Sequence, residues 1–223
     1  MSERVLLLGA GGLGSGAALA LAVAGVQRLG IVDGDDVALS NLHRQVIYHT
    51  YDVGKQKAVT ACERLRDRFP FLQTTPYPFR LENIQEMTQL VAEYDLVLDG
   101  SDNFATRFAI NEAAFRANKP LVHGAAAGYL GQVTTLDGSP CLHCLFTPPS
   151  DEAEEGNCMR EGVVGPLAGE VGWLMAMEAL KLLRGVGEPL RGRLLSIDLL
   201  QGKRRVIHYR PDPACPVCGQ GGR

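Results

Sequence analysis

The chain contains no long basic run, and its formal net charge is only -3. Bulk attraction to nucleic acid or to an anionic membrane surface is therefore not expected. It also lacks an uninterrupted apolar stretch of membrane-spanning length. The most apolar segment, Leu167 to Leu183, carries Glu170, Glu178 and Lys181 and reads as a buried helix. No secretory signal is visible, because Met1-Ser2-Glu3-Arg4 leads straight into an apolar strand. These absences point to a cytoplasmic, reducing setting, where six cysteines serve metal binding or chemistry rather than disulfides. No internal repeat is visible. What is present is ordinary for an α/β protein: 46% hydrophobic and 21% charged residues in 223. That length suits one domain, at most with a small appendage.

Apolar runs alternate with helical patterns from residue 4 to about 125. The alternation predicts strands over 4–9, 28–33, 73–78, 94–99 and 120–125, with helices over 12–24, 56–68, 82–92 and 104–117. Beyond residue 125 it breaks into a strand from Tyr129 to Leu136, a polar loop, an apolar helix over 166–184 and a hairpin over 193–199 and 203–209. The expected fold is a Rossmann-like, mostly parallel α/β sheet with a C-terminal antiparallel extension. Residues 1–125 form its nucleotide-binding half, and residues 126–223 complete the single domain. Ala58, Cys62, Leu65 and Phe69 recur at helical spacing, which makes Cys62 a core residue rather than a functional one.

The first strand ends in a glycine loop, Gly9-Ala10-Gly11-Gly12-Leu13-Gly14, followed by a helix of small residues. In this strand–turn–helix context the glycines permit a tight turn and close approach of backbone to phosphate, with the helix N-terminus supplying free N–H groups. Asp33 ends the next strand about 20 residues on, where it can bind a ribose hydroxyl. The ligand at this point is an adenine nucleotide, with NAD, FAD and ATP all open. Asn41-Leu42-His43-Arg44-Gln45 and Lys57 follow. Backbone amides already cradle a dinucleotide pyrophosphate, so two added cations suit an enzyme acting at the α-phosphorus of ATP, where charge builds on the leaving pyrophosphate. Asp99-Gly100-Ser101-Asp102-Asn103 follows the fourth strand; an aspartate there can hold Mg2+ against a triphosphate, or Asp102 or Asn103 can cap the next helix.

Cys141-Leu142-His143-Cys144 and Cys215-Pro216-Val217-Cys218 are two Cys-x-x-Cys pairs about 70 residues apart. Two such pairs suit a tetrahedral structural zinc, Zn2+, with the second pinning the C-terminus to the domain. The rival, a redox Cys-x-x-Cys, calls for a pair that opens a helix after a strand, and neither pair is expected to do so. His143 is expected to be a bystander. Cys158 stands alone in an acidic run, Asp151 to Arg160, as a candidate nucleophile or persulfide site; the neighbouring carboxylates oppose thiolate formation.

Taken together, these motifs resemble the MoeB/ThiF family of adenylyltransferases, which is related to the adenylation domain of ubiquitin-activating enzymes. The resemblance runs from the glycine loop to the terminal Cys-Pro-Val-Cys. It implies ATP-dependent adenylation of the C-terminal glycine carboxylate of a small ubiquitin-like sulfur carrier protein ending in Gly-Gly, with sulfur supplied in trans. It implies that Gly9, Gly11, Gly12 and Gly14 pack against ATP, that Asp33 binds ribose, and that Asn41, Arg44 and Lys57 contact phosphates. Asp102 would position Mg2+, with Asn103 beside it. Cys141, Cys144, Cys215 and Cys218 match zinc ligands, Cys158 matches a crossover-loop cysteine, and residues 126–223 become the carrier-binding half. A homodimer through helix 166–184, with Trp173, Met175 and Met177, is also implied. Relatives usually carry an N-terminal helix whose arginine reaches the ATP of the other subunit; this sequence opens at the first strand, and Arg4 is not placed to substitute. Two alternatives stand beside this reading: an NAD-dependent oxidoreductase, in which Arg44, Lys57 and the cysteine pairs lack a purpose, and a non-catalytic nucleotide-binding partner protein.

Overall fold

A computed structural model describes residues 3–147 and 162–219. Cys158 and the acidic run around it lie outside the described residues. The elements run β1 (Arg4–Leu8), α1 (Gly12–Val23), β2 (Arg28–Val32), α2 (Lys57–Arg68), β3 (Gln73–Tyr77), α3 (Ile84–Ala92), β4 (Leu96–Asp99), α4 (Phe104–Arg116), β5 (Leu121–Ala127), β6 (Leu130–Leu136), α5 (Leu142–Leu145), α6 (Gly165–Arg184), β7 (Arg193–Asp198) and β8 (Lys203–His208).

The strands form one sheet in the order β3-β2-β1-β4-β5-β6-β7-β8. β1 to β5 pair in parallel, and β6, β7 and β8 join antiparallel. The 125/126 division drawn from the sequence falls inside β5, which pairs with β4 on one side and β6 on the other. One hydrogen-bonded sheet therefore runs through both halves.

Alternation along β1 explains why it reads as a continuous apolar run. Val5 and Leu7 enter one core with α1, α2 and α6, while Leu6 and Leu8 enter a second core with α3 and α4. Cys62 is fully buried in the first core. Burial pushes its thiol up to about 11, so it stays protonated and inert, as the helical spacing predicts.

Helix α6 starts with Pro166 in its first turn and stops at Gly185, whose φ of 63° is left-handed. Its buried residues Leu167, Ala168, Val171, Met175 and Ala179 recur at helical spacing against α1 and the sheet. Among the described residues no helix is long and apolar enough to cross a membrane. Met175 is fully buried, whereas Trp173 and Met177 remain half exposed; of the three residues expected on a dimer face, Met175 belongs to the core. The outer strand β8 is exposed along its whole length and carries Lys203, Arg204 and Arg205, charges that discourage edge-to-edge pairing.

Candidate active site

β1 and β4 are neighbours although β2 and β3 intervene in sequence, so the connections leave the sheet in opposite directions between them. Such a switch point opens a crevice at the carboxyl ends of the strands. Here it is a cavity of about 590 Å³. Gly9, Gly11, Gly12, Asp33, Asn41, Arg44, Lys57 and Asp102, expected from separate stretches of sequence, all line it. Gly14 and Asn103 are not among the lining residues.

The glycine loop takes its shape from two steric limits. Gly9 has φ of 86°, and a Cβ there would lie 2.8 Å from the carbonyl oxygen of Gly100. A Cβ on Gly14 would lie 1.9 Å from the carbonyl oxygen of Gly9, so Gly14 lets helix α1 start directly against the loop. The Asp33 carboxylate then ties the loop to β2, accepting from Ala10 N at 2.8 Å and from Asp35 N at 2.9 Å. Burial pushes the Asp33 carboxyl above the usual carboxylate range, opposed by Lys57 and these two N–H groups. Tyr48 braces the other side: its buried hydroxyl donates to Ala10 O at 2.9 Å and lies 3.2 Å from Lys57 O.

The cations are held at different depths. Lys57 opens α2, is nearly buried, and pairs with Asp35 at 3.0 Å. Arg80 and Lys57 together hold the Asp35 carboxyl below its usual range. Arg44 donates to Asn41 Oδ1 at 2.7 Å, and its stem passes the first turn of α1 beside Gly12. The Gln45 Oε1 atom is buried without a hydrogen-bond partner among the described residues, and Gln45 lines the cavity. An orphaned acceptor at a cavity wall fits a bound ligand that brings a donor. Asp102 is exposed at the rim. A single carboxylate facing a site for phosphates fits the usual holding of Mg2+, by one or two carboxylates and phosphate oxygens. Asn103 caps α4, its Oδ1 accepting from Thr106 N at 2.8 Å. Arg4 lies at the amino end of β1 and pairs with Asp95.

Sequence reasoning passed over a buried pair at the cavity, of which His123 lines the wall and Asp99 does not. The fully buried Asp99, at the end of β4, accepts from Ser101 N at 3.0 Å and Ser101 Oγ at 2.6 Å on one oxygen. Its other oxygen lies 2.7 Å from Nδ1 of His123 on β5. Burial alone raises the Asp99 carboxyl, but His123, Arg107 and Ser101 outweigh it and hold the group below its usual range. The available signal was a polar residue inside each of two apolar runs, Leu96-Val97-Leu98-Asp99 and Leu121-Val122-His123, which form adjacent strands.

The cysteines gather as expected. The sulfur atoms of Cys141, Cys144, Cys215 and Cys218 lie within 4.8 Å of one another, with Cys141 to Cys215 at 3.5 Å and Cys144 to Cys218 at 3.3 Å. Tetrahedral zinc with Zn–S near 2.3 Å needs sulfurs about 3.8 Å apart, close to this spacing. Backbone N–H groups of Asp212 and Cys218 point at the sulfurs of Cys144 and Cys215, as thiolate ligands require. Burial raises the Cys215 thiol, but the N–H groups of Cys218 and Val217 overcome it and bring it down to about 7. The donor set fits a structural zinc. Cys141 does open a helix, the single turn α5, contrary to the expectation. A loop with a cis Ser139–Pro140 bond separates it from β6. His143 stands outside the four-sulfur cluster and packs on Phe108 at 4.5 Å between ring centroids. Leu142 and Phe146 beside the cysteines line the cavity, so the cysteine cluster also shapes its wall.

The description "ThiF family" matches residues 1–217 of this chain. A sulfur carrier protein adenylyltransferase of Thermus thermophilus is 46% identical over 222 residues, covering 96% of this chain and 82% of that protein. The molybdopterin-synthase adenylyltransferase of Escherichia coli is 41% identical over 221 residues, covering 98% and 88%. A maize adenylyltransferase and sulfurtransferase, MOCS3-1, is 44% identical, and this chain spans 47% of its length. The solved structure of Escherichia coli MccB with ATP superposes with a TM-score of 0.84 at 22% identity, covering 97% of this chain and 66% of that one, a likeness of fold alone. The match over residues 1–217, together with these relatives, shows that the chain belongs to the ThiF family.

Proposed function

We propose that this chain adenylates the C-terminal carboxylate of a small ubiquitin-like sulfur carrier protein ending in Gly-Gly, at the expense of ATP. The observation that carries the reading is the convergence of Arg44, Lys57 and Asp102 on one cavity with the glycine loop. A hydride-transfer enzyme on this fold has no use for these cations. Relatives at 46% and 41% identity are named sulfur carrier protein adenylyltransferase and sulfur carrier protein ThiS adenylyltransferase.

A carboxylate is a poor electrophile, and joining it to AMP supplies a good leaving group. Asp33 holds the ribose while the glycine loop admits the phosphates to the N-terminus of α1. A carrier carboxylate oxygen forms a bond to the α-phosphorus as the bond to pyrophosphate breaks. Arg44, steadied by Asn41, and Lys57 take up the charge that moves onto pyrophosphate. Asp102 would hold Mg2+, which would spread the phosphate charge. Sulfide supplied in trans then attacks the carbonyl carbon of the mixed anhydride and displaces AMP, leaving a thiocarboxylate on the carrier. Cys141, Cys144, Cys215 and Cys218 hold Zn2+ as a structural tie. A reducing, cytoplasmic setting suits four thiolates kept free for a metal. The half-exposed Trp173 and Met177 on α6 mark the face for a homodimer.

The test is exchange of labelled pyrophosphate into ATP with a panel of Gly-Gly-ended carriers, ThiS among them. Exchange that requires both Mg2+ and a carrier supports the reading; none with any carrier overturns it. Replacing Cys158 by Ala separates the two steps. Exchange survives the change, and thiocarboxylate formation falls if Cys158 relays sulfur.

A further inference from the structure

The cavity reaches farther than a nucleotide on the glycine loop needs. Asp33 follows β2, the glycine loop follows β1, and Asp102 follows β4, but lining continues across β5 and β6 through Ala125, Leu130 and Gln132. His123 sits where the two parts meet. β4 pairs with β5 only up to Asp99 opposite His123, while β5 runs on to Ala127 against β6. Past His123, no strand pairs with the β4-facing edge of β5 among the described residues.

The ring of His123 is nearly buried yet lines this cavity. A carboxylate only accepts, so the 2.7 Å contact places the proton of the neutral ring on Nδ1, donated to Asp99. Asp99 is itself fixed by both donors of Ser101. The ring therefore has one rotamer and one tautomer, with Nε2 left as an acceptor. Nε2 makes no hydrogen bond among the described residues, and the residue lines the cavity. An acceptor at a cavity wall with no partner from the chain is open to a donor on a bound ligand.

We infer that His123 is a specificity-determining residue for the incoming carrier tail: its Nε2 accepts a hydrogen bond from a backbone N–H of the extended Gly-Gly segment, and Asp99 acts as its positioning residue. The inference rests on the adenylation reading, since only a carboxylate-bearing tail requires the β5–β6 side of the cavity. Nucleotide phosphates offer no donor to such an atom, whereas each residue of an extended tail offers one.

Two substitutions test it, with the carrier of fastest exchange. His123→Asn keeps a donor to Asp99 but deletes the distal nitrogen. Asp99→Asn can present its amide N–H to His123, which drives the ring proton to Nε2 and turns the acceptor into a donor. Each raises KM for the carrier, His123→Asn by about fivefold and Asp99→Asn by at least as much, as loss of one hydrogen bond requires. ATP binding, measured calorimetrically without carrier, stays within about twofold and shows that the variants are folded. His123→Gln, whose side-chain oxygen reaches into the cavity, restores much of the carrier KM. An unchanged carrier KM, or weaker ATP binding in place of it, overturns the assignment while wild-type exchange leaves the adenylation reading intact. Absence of exchange in the wild type overturns both.

Discussion

Lys57 Nζ lies 3.0 Å from Asp35 Oδ2, so a nearly buried cation that lines the cavity is parked on a carboxylate outside its lining. Asp35 has a second partner in Arg80 at 2.7 Å. A phosphate can therefore draw Lys57 away without leaving Asp35 unpaired. The account predicts that Lys57→Ala lowers the exchange rate by about 100-fold, the usual effect of removing a charge that faces the leaving group. Asp35→Asn, which removes only the parking anion, leaves exchange within about threefold. Steady-state exchange on both variants checks the contrast.

Two glycines with the same chemistry should respond in opposite ways. Gly14→Ala drives a methyl group to 1.9 Å from Gly9 O, and nothing in the loop can yield that far without losing its shape. Nucleotide binding by Gly14→Ala falls below detection in calorimetry. Gly169, inside α6, has no atom within 4 Å of an added Cβ. Gly169→Ala keeps nucleotide affinity and gains up to about 1 kcal/mol in stability, from helix propensity.

Acid stability turns on Asp52. Its carboxylate is fully buried; Arg64, with the His49 N–H and Lys55, holds it well below the usual carboxylate range against the effect of burial. A carboxyl lowered by folding stabilises the chain above its unfolded value, near about 4, and that contribution is lost as pH falls through the folded value. Asp52→Asn is thus markedly less heat-stable than the wild type near neutrality, and the gap closes as pH drops below about 4. Thermal melts across that range measure it; a gap independent of pH contradicts the assignment.

Removing the metal should act on both stability and catalysis. Stripping zinc with a chelator, or Cys215→Ser, lowers the melting temperature by about 10 °C, given the strength of four-thiolate sites. Exchange also slows, because Leu142 and Phe146 on the cysteine knot line the cavity. Metal analysis should return one zinc per chain in the wild type and less than one in the variant.

Much of this architecture was legible because local patterns and tertiary structure agree. Alternation between β1 and α4 places every strand and α-helix within two residues of expectation, though not the short 3-10 turns Leu39–Asn41 and Thr50–Asp52, and the two Cys-x-x-Cys pairs meet as four sulfurs across the fold. That Asp33 and Asp102 would line one cavity was readable because parallel strands put their carboxyl ends side by side. Asp99 and His123 were not. Their partnership depends on the β4–β5 register, and a single histidine in an apolar strand has no local signature. Met175 shows the same limit. Helical spacing predicts that α6 has a buried side, but only the packing against Gly124 and α1 decides that Met175 faces inward and Trp173 outward.

The central claim is that this chain joins AMP to the end of a carrier protein. Intact-mass spectrometry of a Gly-Gly-ended carrier, incubated with the chain, ATP and Mg2+ and quenched in acid, tests it most directly. The account predicts a carrier heavier by one AMP, absent without Mg2+ and nearly absent with Lys57→Ala. A carrier of unchanged mass, with ATP bound but not cleaved, contradicts it.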